Sequence, residues 1–135
     1  MTTPPNEPYD PAKSATSKPV GQNYNSTYET CDPVHPLESC TISGPLYTDV
    51  VSLGGFGPVP IEIGVIGNQT SNFYQFQTVD GVMGMMGGPI QGNVFESLCV
   101  KYGKCDPVWG ICMYPGMLSN GTITIGGVDL VFRYF

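Results

Sequence analysis

Residues 72–98 read NFYQFQTVDGVMGMMGGPIQGNVFESL, and the reading of this stretch decides the fold. Its first half is apolar and strand-like up to Met85. The pair Asp80-Gly81 interrupts it, Gly84 follows three residues later, and Gly87-Gly88-Pro89 ends the run. The second half turns helical. Asn93 can cap, Glu96 stands three residues on, and Val94, Phe95, Leu98, Cys99 and Tyr102 recur on one helical face before Gly103 closes it. A helix over about residues 93–102 is therefore expected, packed on the strand that holds Trp109. Glycines inside so apolar a strand point to a close crossing of two backbones, where a Cβ would not fit.

Outward from this stretch the pattern is of short strands. GQNYNSTY, residues 21–28, alternates weakly and puts Tyr24 and Tyr28 on one face. CTISGPLYTDVVSL, residues 40–53, is long and rich in β-branched residues, with Gly44-Pro45 marking a bulge or an edge. PIEIGVIG sets Ile61, Ile63 and Val65 against Glu62 and Gly64, a strand alternation. VWGICMY reads as a further strand, and Asn120-Gly121 as a hairpin turn into TITIGG. One short helix among some six strands gives a mostly-β fold.

Composition agrees. The 135 residues hold 18 glycines and 13 prolines but only 12% charged residues, which favours strands and turns over helices. The length suits one domain. The net charge of −6 leaves no basic stripe for phosphates, so nucleic acid is excluded as a partner. No apolar run reaches the roughly 20 residues of a membrane span. MTTPPNEPYDP has neither a basic start nor an apolar core, so it is not a signal peptide; residues 1–6 are expected to be disordered.

Other marks point outward from the cell. Three sequons, at Asn25, Asn68 and Asn120, are candidate glycosylation sites. Cys31 and Cys40 bracket a proline-containing loop and read as a local disulfide, while Cys99, Cys105 and Cys112 leave one thiol over. These features imply a secreted or lysosomal/vacuolar chain. Sequons without a signal peptide, together with an odd cysteine count, suggest a piece of something longer.

The order of motifs then becomes informative. A strand carrying VDGVMGM is followed by a capped helix, a strand and a hairpin ending GTITIGGVD. Upstream lie EPYDPAKSATSKPV and SGPLYTDVVSLGG. Together these four segments resemble, in order and spacing, the N-terminal lobe of the pepsin-like aspartic proteases over roughly residues 7–130. The resemblance implies a partial lobe over residues 7–135: a flap hairpin at about 22–53, a ψ-loop strand at about 72–86, the helix, and a terminal hairpin at about 108–128. It also implies roles. Asp80, Gly81 and Gly84 would be structural, with Asp80 accepting backbone hydrogen bonds and Gly84 lying against the catalytic loop. Tyr28 would be the flap tyrosine, although YETC stands where the family has Tyr-Gly-x-Gly; Tyr47 lies beyond the tip. Phe73, Val79 and Val82 would form an apolar wall for the substrate residue on the acyl side of the scissile bond.

The catalytic parts are not in these residues. Aspartic proteases need two carboxylates that share one proton, each presented by an Asp-Thr-Gly or Asp-Ser-Gly turn. Asp10, Asp32, Asp49, Asp80, Asp106 and Asp129 are the chain's aspartates, and none sits in such a turn. The expectation is a fragment of an aspartic endopeptidase, inactive alone, whose partners are a peptide or protein substrate and the missing remainder of the protease. The competing expectation is a non-catalytic extracellular β-rich binding module, or a decayed protease homologue. His35 is the one histidine, so a histidine triad or metal cluster lacks its parts, and neither a metal nor a cofactor is implied.

Overall fold

The structure is a computed structural model that describes residues 8–29, 38–70, 81–84, 94–102, 105–106, 108–113 and 121–127; within the helix, the side chains of Phe95, Val100, Lys101 and Tyr102 are not described. After a single 3₁₀ turn at Pro11–Lys13 come β1 (Lys18–Tyr28), β2 (Cys40–Leu53), β3 (Phe56–Gly64) and β4 (Asn68–Gln69). The helix α1 (Val94–Tyr102) follows, then β5 (Trp109–Met113) and β6 (Gly121–Ile125). The fold is mostly β. It divides into two compact units, Met1–Val50 with Pro60–Met83, and Val51–Val59 with Gly84–Phe135.

The first sheet has the order β1-β2-β3, with β4 also pairing β2. β1 and β2 run antiparallel, with Tyr28 opposite Cys40 and Lys18 opposite Thr48. The irregularity expected at Gly44-Pro45 falls on the partner strand instead, between Pro19 and Asn23, where Gly21 has φ +80°. A glycine tolerates that left-handed backbone at no steric cost, so the bulge sits in β1. The link between β2 and β3 is Gly54-Gly55, both with positive φ (57° and 85°), as a type I′ hairpin turn requires.

Gly44 has its own constraint. A Cβ there would overlap the carbonyl oxygen of Val65, because the Val65 and Gly67 amides donate to the Pro45 and Ser43 carbonyls at 3.0 and 2.9 Å. Gly64 does the same for a side chain: a Cβ on it would stand 2.6 Å from the ring of Tyr24. The two glycines let β1, β2 and the chain after β3 close up around one half-buried tyrosine. The Tyr24 hydroxyl is buried with no hydrogen-bond partner among the described residues. Burial first, and the neighbouring Tyr28 second, push its pKa up.

In the second unit Leu98 is fully buried and Cys99 nearly so, on the face of α1 that the periodicity marks. The helix begins one residue after the expected Asn93, which lies outside the described residues. Of the three cysteines whose pairing was open, Cys99 and Cys105 are bonded, with Cα atoms 5.0 Å apart, and Cys112 is free. The bond ties α1 to the segment that leads into β5. β5 and β6 pair antiparallel, from Trp109 opposite Ile125 to Met113 opposite Gly121. Gly121 is thus already in the ladder opposite Met113, not in a hairpin turn; Asn120 lies outside the described residues. A five-residue ladder leaves its register to the strands, not to a two-residue turn.

Residues 81–84 differ from expectation as well: they belong to no strand. No described atom lies within 4 Å of a Cβ placed on Gly81 or Gly84; close approaches that exclude a Cβ occur at Gly44 and Gly64. Without a side chain to pack, glycine weakens a strand.

Two substitutions check this packing. Leu98→Ala is expected to cost about 2–4 kcal/mol in denaturant unfolding, as for other fully buried leucines. Tyr24→Phe is expected to be neutral or mildly stabilising, since it deletes a buried hydroxyl without a partner, whereas Tyr24→Ala should cost about 2 kcal/mol. A Phe variant as damaged as the Ala variant would show that the hydroxyl is bonded.

Candidate functional site

The best-defined polar cluster of the described residues is built around Asp49, in the second half of β2. Its side chain is only 4% exposed. Two segments converge on it, one on each side of the 3₁₀ turn. The 3₁₀ turn is opened by Asp10, whose carboxylate accepts from the Ala12 amide at 3.0 Å, and Pro11 suits the first position of the turn. Tyr9 before this turn and Ser14 and Thr16 after it all reach Asp49 on β2. Tyr9 Oη donates to Asp49 Oδ2 at 2.6 Å and lies 3.2 Å from Ser17 Oγ. Thr16 Oγ1 donates to Asp49 Oδ1, and the Val50 amide donates to the same oxygen at 2.7 Å. The Thr16 amide donates to Ser14 Oγ at 3.3 Å, which fixes the bend before β1.

The electrostatics follow from this donor set. The Thr16 hydroxyl first, then those of Tyr9 and Ser14, hold the Asp49 carboxyl well below its ordinary pKa of 3.8, against the opposing effect of burial. Tyr9 shifts the other way: burial, and then donation to Asp49, raise its pKa. Both changes keep the tyrosine protonated and the aspartate charged. Each partner named here is a hydroxyl or an amide. With its pKa held this low, Asp49 stays ionised near neutral pH and is a weak base there. Asp49 is an anchor between segments.

The residues singled out from the sequence are placed as follows. Tyr28 ends β1 opposite Cys40 and is 37% exposed. Val82 is 68% exposed and Met83 42%. Phe73, Val79 and Asp80 lie outside the described residues. Cys40 is fully buried and disulfide-bonded, while Cys31 lies outside the described residues. Asn25 and Asn68 are exposed strand residues, and Asn120 lies outside the description. His35 and the expected disordered start, residues 1–6, also lie outside it.

Asp49 itself is the residue that sequence reasoning passed over. The signal was present but divided. β2 buries Cys40 and Ile42 on one face near its start and Asp49 on the other face further along. A strand that switches its covered face defeats simple alternation. The matching donors, Tyr9 and Thr16, lie more than thirty residues away in a segment without periodicity.

Among the described residues no group of three or more His, Cys, Asp and Glu could hold a metal ion, and no helix is long and apolar enough to cross a membrane. No protein-family model and no curated protein sequence matches this chain.

The anchor has a pH signature. A carboxylate whose folded pKa lies below its unfolded value contributes stability that is fully present above the unfolded pKa and is lost as pH falls through the folded one. Asp49→Asn is therefore expected to lower Tm most at neutral pH, with the gap to the native chain narrowing as pH drops below about 4. A gap that stays constant down to about pH 2 would mean that Asp49 is not held ionised.

Proposed function

We propose that this chain is part of the N-terminal lobe of a pepsin-like aspartic endopeptidase, and that it supplies the flap hairpin and one wall of the substrate cleft. The observation that carries the reading is the Asp49 junction. Of the four segments that resemble the family, EPYDPAKSATSKPV holds Tyr9 and Thr16, and SGPLYTDVVSLGG holds Asp49. Hydrogen bonds from the first to the second join them directly. Segments that were similar to the family separately are thus physical partners, at the site where a buried carboxylate requires specific donors.

The division of labour follows from the residues. β1 and β2 form an antiparallel hairpin with Tyr28 at the end of its first strand, where it would close over a bound peptide. Phe73, Val79 and Val82 would supply the apolar contacts that select the substrate. Hydrolysis by an aspartic protease requires a water held between two aspartates, and in that family those aspartates belong to Asp-Thr/Ser-Gly turns that these 135 residues do not contain. The chain's contribution is then to bind and orient. Its sequons and disulfides suit a secreted or lysosomal/vacuolar protein.

The test has two readings. The coding sequence on either side should contain an apolar-Asp-Thr/Ser-Gly turn, one upstream and one downstream. The purified 135-residue chain should hydrolyse no peptide between about pH 2 and pH 7, and should not bind pepstatin tightly, because no dyad forms. Pepstatin-sensitive cleavage by this chain would overturn the division of labour. Absence of both flanking turns would favour a non-catalytic binding module.

A further inference from the structure

Two of the three sequons meet on one face of the first sheet. Asn25 on β1 lies opposite Ser43 on β2, and Asn68 on β4 lies opposite the same Ser43 from the other side. Residues opposite one another share a face, so both asparagines project together, two strand spacings or roughly 10 Å apart. Both are exposed. The hydroxyl residues of the same sequons meet one row further on. Thr27 is opposite Thr41, with their hydroxyls 3.3 Å apart. Thr70 Oγ1 accepts from the Thr41 amide at 3.1 Å, and the Thr70 amide donates to the Thr41 carbonyl at 3.0 Å. β2 therefore holds both sequons by the same two residues, Ser43 and Thr41. The opposite face buries Ile42 and Cys40, so the sequon face is the solvent side.

This arrangement conflicts with modification after folding. Transfer of a glycan to a sequon needs its asparagine amide and its third-position hydroxyl to be available together. In the sheet the amides are open, but both hydroxyls are engaged with Thr41 and the backbones are committed to the ladder.

We propose that Asn25 and Asn68 are a paired N-glycosylation site that is loaded before β2 acquires its neighbours, so that the finished sheet carries two glycans on one face. Each transfer forms a bond from asparagine Nδ2 to the anomeric carbon of a glycosyl pyrophosphate donor. The sugar–oxygen bond to the pyrophosphate breaks with its electron pair, and one amide proton is released. The biological setting rests on the secretory placement given under Proposed function; the gating by the sheet does not.

The experiment offers the full chain, either oxidised and folded or reduced and unfolded, to purified oligosaccharyltransferase with a lipid-pyrophosphate-linked oligosaccharide. Occupancy of each site is read by peptide mass spectrometry. The unfolded chain should be modified at both asparagines on the same molecule, and the folded chain about tenfold less or lower at each, because the strands must first open. Thr41→Val removes the hydroxyl that holds Thr27 but keeps the amide that holds Thr70, so in the folded variant transfer should rise at Asn25 and not at Asn68. Equal rates for folded and unfolded chains, transfer to only one site in the unfolded chain, or a Thr41→Val effect at both sites alike would overturn the proposal. If the unfolded chain accepts both glycans while the protein from its natural source carries none, the secretory placement fails and the gating stands.

Discussion

A buried carboxylate is tolerated only if its oxygens are given donors, and Asp49 obtains them from residues far away in sequence. Tyr9 and Thr16 must reach β2, so the chain before β1 must turn back on itself at Pro11–Lys13. That fixes where β1 begins, and with it the register that sets Lys18 opposite Thr48. The charge of Asp49 and the protonated state of Tyr9 support each other: each group's pKa moves away from the range in which it would titrate. Strand β2 is thereby pinned by a polar contact at one end and by burial of Cys40 and Ile42 at the other.

The two ends of β2 use opposite faces, and this has consequences for the whole first unit. Near its start, the buried face packs Ile42 while the open face carries the polar row of asparagines, serine and threonines. Glycines are placed where the sheet must be thin. Gly44 admits the backbone after β3, and Gly64 admits the ring of Tyr24. A functional surface on this unit has to be compatible with both features: a solvent face crowded by sequons, and a tyrosine-bearing face with Tyr24 and Tyr28 in line.

Much of this was legible in the sequence. The periodicity from Val94 to Tyr102 gave α1 to within a residue, because a helical face with Leu98 at its centre leaves little choice. The β-branched run gave β2 from Cys40 to Leu53, while the alternation over residues 60–67 gave only the second part of β3, Phe56–Gly64. What escaped has physical causes. A hydrogen-bonded aspartate leaves no periodic trace, and its donors belong to a loop. A glycine announces close approach without naming its partner; at Gly44 the partner is the Val65 carbonyl and at Gly64 the ring of Tyr24. Three cysteines within fourteen positions permit several pairings, and only geometry selects Cys99 with Cys105. Of the candidate cleft residues, Tyr28 ends β1 and Val82 is exposed.

The central claim is that Asp49 is a permanently charged anchor joining the two segments, not an acid that takes part in chemistry. The most direct measurement is an NMR titration of the side-chain carboxyl carbons of the folded chain, with Asp49 assigned by its loss in Asp49→Asn. The expected result is a midpoint well below the ordinary value of 3.8, with Asp49 still ionised when the exposed carboxylates have protonated. A midpoint at or above that value would mean that Tyr9 and Thr16 do not hold the carboxylate, and the junction on which the fold and the proposed function both rest would be gone.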